Sequence, residues 1–144
     1  MGESHHLNST RGLQPGLRGH VEIIVAEQHT APHVGSGRVH VLVTPVMVNL
    51  MEAAALQAVE GLLPSGYQTV GTHLDITHVA ATPVGMRVRA YAELARVEKR
   101  TLTFKVHAED DKERIGEGVH ERIIINLERF DIRMLDKARL IGKT

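Results

Sequence analysis

Hydrophobic residues dominate one long stretch in the first half of the chain. It spans residues 44–63, and no glycine or proline occurs between Pro45 and Gly61. Most of its residues are good helix formers, Thr44 is a good N-cap, and proline suits the first turn of a helix. At 100° per residue its few polar side chains share one arc, and apolar residues take the remainder. The pattern predicts a helix, about 27 Å long for 18 residues, that other parts of the chain must largely cover.

The chain after this helix alternates apolar and polar residues, which is the pattern of half-buried strands. The alternation is clearest at 86–98 and 101–108, which meet at a tight reversal at Lys99 and Arg100. Longer strands are predicted at 68–81 and 114–130, with a charged tail after the last one. Two short strands, at 21–27 and 38–43, precede the helix, and residues 28–37 between them have the glycine and proline content of a loop. The predicted order is two short strands, one helix and a four-stranded antiparallel meander.

A strongly curved sheet can cover a helix whose apolar surface is this wide. The order of elements therefore predicts an α+β protein with the hot-dog fold, in which an antiparallel sheet wraps around one long central helix. We expect this domain at 20–130, a flexible N-terminal tail at 1–19 and a C-terminal tail at 131–144. Because such a sheet has exposed edges, we expect two chains to pair their edges into a homodimer, with the site near the subunit boundary.

Composition narrows the range of functions. The 17 basic and 17 acidic residues cancel, which argues against a nucleic-acid partner because phosphate binding needs concentrated positive charge. The absence of cysteine excludes disulfides, thiolate metal sites and a cysteine nucleophile. No apolar run approaches the roughly 18 residues of a membrane span, and no secretory signal is visible, so a cytoplasmic protein without a membrane partner is expected. The histidine spacings fit no metal site, and we expect no cofactor.

Three residues could carry chemistry, and each also has an ordinary structural explanation. Glu52 is either a solvated helix glutamate or a partly desolvated carboxylate whose pKa is raised toward the useful range. His78 lies on the more apolar face of its strand, as a buried structural histidine or as an oriented base. Thr44 caps the helix, or places a hydroxyl beside free N–H groups that suit an oxyanion. Gly71 within a strand indicates close approach of another chain or of a ligand.

The spacing of Thr44 and Glu52 sets a geometric condition on any shared site. Eight residues of an ideal helix span about 12 Å, so these side chains cannot touch within one continuous helix. Either Thr44 precedes the regular helix and folds back, or a second subunit supplies one of the residues.

Three segments resemble the hot-dog thioesterases related to fluoroacetyl-CoA thioesterase: NLMEAAALQAV, VGTHLDITHVAATPVGMRV and IGEGVHERIIINLERF. The similarity covers about residues 43–130, and T-H-x-A-A-T-P is its most specific part. The resemblance implies hydrolysis of a small acyl-CoA thioester by a threonine, a helix glutamate and a histidine, which are here Thr44, Glu52 and His78. It also implies that Gly71 lines the acyl pocket and that Arg122 contacts the CoA portion.

One departure from the family affects selectivity. The fluoroacetyl-specific enzyme has phenylalanines in the lid segment before the helix, whereas residues 31–43 contain no aromatic residue. This difference predicts loss of fluoroacetyl selectivity rather than of the hydrolytic chemistry. Two other functions remain open: a hot-dog module that binds an acyl-CoA or a similar small acyl ligand without turnover, and a hot-dog hydratase. The hydratase is disfavoured because the helix shows no Asp-to-His pair with hydratase-like placement.

Overall fold

The computed structural model describes residues 12–142. Its strands are β1 (Arg18–Ile24), β2 (Tyr67–His78), β3 (Arg87–Glu98), β4 (Thr101–Asp110) and β5 (Arg114–Asn126). Its α-helices are α1 (Ala31–Val34), α2 (Thr44–Val59) and α3 (Leu127–Ala138), and short 3-10 turns cover Glu27–His29 and Glu60–Leu62. The predicted tail at 1–19 lies outside the described residues as far as residue 11. The division into one domain and two tails stays a prediction.

All five strands form one antiparallel sheet in the order β1-β3-β4-β5-β2. The hairpins that join β3, β4 and β5 confirm part of the predicted meander. The other part is wrong, because β2 pairs with β5 at the edge of the sheet rather than with β3. Alternation along a strand assigns its faces but not its neighbours, so the sequence pattern could not reveal this crossover.

The helix α2 packs against the inner face of the sheet, mainly across β1 and β3. Its buried residues are Met47, Leu50, Met51, Ala54, Ala55 and Val59. The sheet contributes the apolar halves of the alternating strands, which are Val88, Ala90, Ala92, Leu94, Leu102, Phe104, Val106 and Ala108. The predicted helix-and-sheet core of the hot-dog fold is therefore confirmed. Because α2 lies toward β1 and β3, space for polar side chains remains beside β5 and β2.

The structure differs from the predicted elements at three places. Residues 38–43 form no strand of the sheet and contribute only isolated bridges, Val41 to Pro83 and Leu42 to Thr30. The closing strand ends at Asn126, whose side chain caps α3 by accepting a hydrogen bond from Arg129 N–H, so a helix takes the place of the predicted strand end at 127–130. No residue of α3 is buried. Within residues 12–142, none of the helices has the length and apolar character to cross a membrane.

Thr82, in the T-P part of the sequence motif, joins three segments of the fold. It has no exposed surface, its hydroxyl donates to Asp110 Oδ2 over 2.8 Å, and its carbonyl accepts the Leu42 N–H over 2.9 Å. Asp110 Oδ1 accepts the N–H groups of Lys112 and Glu113. Burial alone would raise the pKa of Asp110, but these hydrogen bonds lower it below the ordinary value. Thr82 thereby ties the β4–β5 hairpin to the segment that enters α2.

We expect Thr82→Val to lower the free energy of unfolding by about 1–3 kcal/mol, because it leaves a buried carboxylate oxygen without its donor. Since the pKa of Asp110 is lower in the folded state, its stabilising effect is present above the unfolded pKa and is lost as pH falls through the folded value. Urea unfolding at neutral and acidic pH measures the loss, which should shrink at acidic pH. Thr77→Val, at an exposed position, is the control, and an equal loss in both variants would contradict the prediction.

Candidate active site

The N-terminus of α2 brings Thr44 to His78, the last residue of β2. The N-cap residue is Val43 rather than Thr44, which is the first helical residue and whose side chain is therefore not used as a cap. Thr44 Oγ1 instead lies 2.7 Å from His78 Nδ1. Thus the predicted capping role of Thr44 is wrong, and its hydroxyl is paired with an imidazole. We call these two residues the Thr44–His78 pair.

The environment of His78 favours a neutral ring. Burial lowers the pKa of His78 more than the nearby Ala80 backbone raises it. When the Thr44 hydroxyl donates to Nδ1, the ring proton is on Nε2. His78 Nε2 is buried and has no hydrogen-bond partner among residues 12–142. A hydroxyl next to a neutral imidazole is the arrangement of an activated nucleophile and its base.

Free amides at the helix N-terminus are fewer than the sequence predicts. Pro45 has no N–H, and the N–H groups of Val46 and Met47 both donate to the Val43 carbonyl. The dipole of α2 still points its positive end toward Thr44. The prediction that free N–H groups at the start of the helix are available to an oxyanion is therefore wrong for Val46 and Met47.

A groove with a volume of about 400 Å³ adjoins the Thr44–His78 pair. One wall is the segment between α1 and α2, and the other wall is the chain just after β2, at 79–81. The lining includes small residues such as Gly37 and Ala80, and it contains no phenylalanine, tyrosine or tryptophan. The structure therefore places the aromatic-free lid segment directly beside the candidate nucleophile.

Glu52 lies further along α2, in a second group of polar residues. Its side chain is 36% exposed, and its Oε1 is 3.9 Å from both Arg122 Nη1 and His120 Nε2. A β-carbon on Gly71 would lie 2.9 Å from Glu52 Oε1 and 3.1 Å from His120 Cε1. Glycine at this position of β2 thus gives the carboxylate its space. We call Glu52, Gly71, His120 and Arg122 the Glu52 cluster.

Arg122 is 7% exposed and points into the Glu52 cluster rather than to the surface. Its guanidinium donates to the Thr69 hydroxyl and the Thr69 carbonyl. Burial lowers the pKa of Arg122, and the Glu52 charge opposes that effect. The proposed contact of Arg122 with the CoA portion stays a prediction. Its burial limits such contact to a part of the ligand that enters the site.

One chain does not bring all the predicted site residues together. Thr44 and Glu52 belong to one continuous helix, and their separation of eight positions corresponds to about 12 Å. The structure unites Thr44 with His78, and Glu52 with Gly71 and Arg122, in two separate groups. In the described part of the chain, no three histidine or carboxylate side chains are placed to hold a metal ion.

Sequence reasoning missed Thr69 and His120 as members of this site. A signal for His120 was present, because it lies two residues before Arg122 on β5, and such residues share one face of a strand. No local signal identifies Thr69, since its contact with Arg122 depends on the pairing of β2 with β5.

The fold, an antiparallel sheet around one long central helix, is that of the hot-dog thioesterases. The fluoroacetyl-CoA-specific thioesterase family matches residues 25–128. The chain belongs to that family.

Individual relatives agree with this assignment. The fluoroacetyl-CoA thioesterase of Streptantibioticus cattleyicolor is 43% identical over 98 residues, which is 68% of this chain and 70% of that protein. A solved structure of the fluoroacetyl-CoA thioesterase FlK has a TM-score of 0.82 and 36% identity, and the match covers 88% of this chain and 98% of that one. A thioesterase superfamily member from Thermus thermophilus has a TM-score of 0.80 at 27% identity, over 88% of this chain and 96% of its own.

Proposed function

We propose that this protein is an acyl-CoA thioesterase that hydrolyses a small acyl-CoA thioester in a site built by two subunits of a homodimer. The observation that carries the proposal is the 2.7 Å contact between Thr44 Oγ1 and His78 Nδ1 at the start of α2. The family supports the reaction class, since relatives of this chain are named as thioesterases for fluoroacetyl-CoA. One FlK structure is described as a complex with acetyl-CoA, which is a small acyl-CoA thioester.

The open edge of β2 supports a two-subunit site. β2 pairs only with β5 in the described residues, so one side of its 12 residues is unpaired over about 40 Å. Antiparallel pairing with a second β2, around a two-fold axis between Leu74 and Asp75, sets Gly71 of one strand close to the partner's His78. Glu52 lies against Gly71, so this pairing carries Glu52 toward the partner's Thr44–His78 pair.

The chemistry of the two-subunit site follows from the positions of the Thr44 hydroxyl proton and the His78 ring proton. The thioester carbon is attacked by the Thr44 oxygen, or by a water that Thr44 positions, and His78 Nδ1 accepts the proton released. The C–S bond breaks and that proton leaves with CoA as its thiol. The partner's Glu52 accepts a hydrogen bond from His78 Nε2–H, as the third member of a nucleophile, base and carboxylate arrangement. Where an acyl-enzyme forms, water releases the acid in a second step.

A binding module without turnover is the second candidate function. It is favoured by the separation of Glu52 from the Thr44–His78 pair in a single chain, because a protein that does not dimerise by β2 would leave the two groups apart.

The cytoplasmic location predicted above also stays a prediction.

The test of the function is thiol release from a panel of short acyl-CoA thioesters that includes acetyl-CoA and fluoroacetyl-CoA. We expect turnover by the wild type, no preference for the fluoroacetyl ester, and loss of turnover in a Thr44→Ala/His78→Ala double variant. Calorimetric binding of the esters with no hydrolysis across the panel would reject the hydrolase and leave the binding module.

The pH dependence of turnover should report on His78. Because burial lowers its pKa, the neutral base persists at pH values where an ordinary histidine is protonated. We expect kcat/KM for the best ester to fall at acidic pH with a midpoint below the ordinary histidine value of 6.5. His107→Gln, on the outer face of the sheet, should leave the profile unchanged. An acid limb centred at or above pH 6.5 in the folded protein would contradict the role of His78.

A further inference from the structure

A network of hydrogen bonds lies behind Glu52, in residues to which the proposed reaction gives no role. Arg122 Nε donates to Thr69 Oγ1 over 2.9 Å and Nη2 donates to the Thr69 carbonyl over 3.1 Å. Arg122 Nη1 lies 3.1 Å from His120 Nε2, and His120 Nδ1 lies 2.9 Å from the His73 carbonyl oxygen. His120 has no exposed surface. The network links neighbouring strands β2 and β5 under the carboxylate.

The partners of His120 determine which ring nitrogen carries the proton. A carbonyl oxygen only accepts, so Nδ1 is protonated and donates to His73. A guanidinium only donates, so Nε2 accepts a hydrogen bond from Arg122. Burial, and to a lesser extent the Arg122 charge, lower the pKa of His120 more than the His73 carbonyl and Glu52 raise it. His120 is therefore neutral, with its lone pair turned to the guanidinium.

With its proton on Nδ1, His120 cannot donate a hydrogen bond to Glu52. Nε2 has no proton to offer to Glu52 Oε1, which lies 3.9 Å away. The cation that faces the carboxylate is Arg122, at the same distance. The Phe104 ring of β4 also lies nearby, with its centroid 6.3 Å from that of the His120 ring. His120 thus has no hydrogen bond to Glu52, and its hydrogen-bonded link toward the carboxylate runs through Arg122.

We propose that His120 and Thr69 are positioning residues, which hold the Arg122 guanidinium beside Glu52 while the carboxylate takes part in thioester hydrolysis. The inference rests on the proposed function, because that function gives Glu52 its part in the reaction. An arginine side chain has several rotatable bonds, and hydrogen bonds from three of its nitrogens to two residues fix its plane. Thr69 and His73 lie on either side of the register shift in β2 between Gly71 and His73, so the network also spans the irregular part of the strand.

The experiment compares His120→Leu, which removes the acceptor, with His120→Gln, which retains one. A hydrogen bond to a charged group corresponds to a factor of about 10–100, so His120→Leu should lower kcat by that factor with little change in KM, and His120→Gln should recover most of it. The same His120→Leu change in an Arg122→Gln background should cause no further loss, because His120 acts only through Arg122. His107→Leu, an equivalent substitution on the outer face of the sheet, should leave kcat unchanged.

A spectroscopic readout keeps this inference separable from the proposed function. Long-range proton–nitrogen NMR spectra of the wild type should show the Nδ1–H form of His120 and a resolved Arg122 side-chain signal. That arginine signal should broaden in His120→Leu and persist in His120→Gln. If the wild type hydrolyses no ester, the function fails and the NMR spectra still decide the arrangement. An Nε2–H form, an arginine signal unchanged in His120→Leu, or an equal loss of kcat in the Arg122→Gln background would overturn the positioning role.

Discussion

Replacing Glu52 by glutamine is expected to lower kcat by about 10³-fold, because glutamine has nearly the same shape but cannot act as a carboxylate toward the imidazole. The Glu52 side chain is partly buried against Gly71 and faces Arg122, so a shape-preserving change should leave the packing of α2 intact. Initial rates of thiol release with the best ester of the panel, at saturating substrate, measure the effect. KM should change far less than kcat, because the carboxylate acts in the chemical step.

The matched control for this variant is Glu60→Gln, in the exposed turn that follows the same helix. It should keep wild-type kcat. Thermal unfolding of both variants separates a catalytic defect from loss of the folded protein. A Glu52→Gln enzyme that retains more than about a tenth of wild-type kcat would remove Glu52 from the reaction, since loss of the carboxylate that orients a catalytic imidazole costs on the order of 10⁴-fold in the best-known arrangement of this kind.

Mixing two inactive variants is expected to restore activity. Glu52→Gln lacks the carboxylate, and Thr44→Ala/His78→Ala lacks the hydroxyl and the imidazole. In a mixed dimer with shared sites, one site takes Thr44 and His78 from the Glu52→Gln chain and Glu52 from the double variant, so it is intact. The other site contains all three substitutions and is inactive. Random pairing makes half of the dimers mixed, so the mixture should reach about a quarter of wild-type activity from parents that have almost none.

Co-expression of the two variants with different affinity tags yields the mixed dimer, and sequential purification on both tags isolates it. The isolated mixed dimer should have about half the wild-type activity per dimer, because one of its two sites is intact. As controls, each variant is co-expressed with a copy of itself that carries the other tag, and the doubly tagged dimer is purified in the same way. A purified mixed dimer as inactive as its parents would show that Glu52 and the Thr44–His78 pair do not act across the subunit boundary.

The central helix and the inner faces of β3 and β4 could be predicted because their signals are local. Helix-forming residues without glycine or proline define α2, and strict alternation defines which side chains of the two strands are buried. The α3 helix also had a local signal that was missed. Asn126 caps its first turn, and Leu127, Phe130 and Met134 follow with helical spacing. The preceding strand-like run, which is rich in isoleucine, obscured that boundary.

The site could be predicted only in part, because its contacts depend on which strands are neighbours. The pattern marked Thr44, Glu52 and His78, but the 2.7 Å contact between Thr44 and His78 required the end of β2 to meet the start of α2. The buried position of Arg122 required the pairing of β2 with β5, which places Thr69 beside it. Strand order is a property of the whole sheet, and no single segment contains it.

Thr82 makes two hydrogen bonds, to Asp110 and to Leu42, that hold the fold together. The two ends of the T-H-x-A-A-T-P motif should therefore respond differently to substitution, Thr82 through stability and His78 through activity. A saturation screen that scores soluble yield alone would reject most replacements of Thr82 and accept most replacements of His78, since only the former holds a hairpin and the helix approach together. Sorting the same library for thiol release would flag both positions. Two positions of one short motif would thus give separate phenotypes: replacement of Thr82 would lower the soluble yield, and replacement of His78 would lower the turnover.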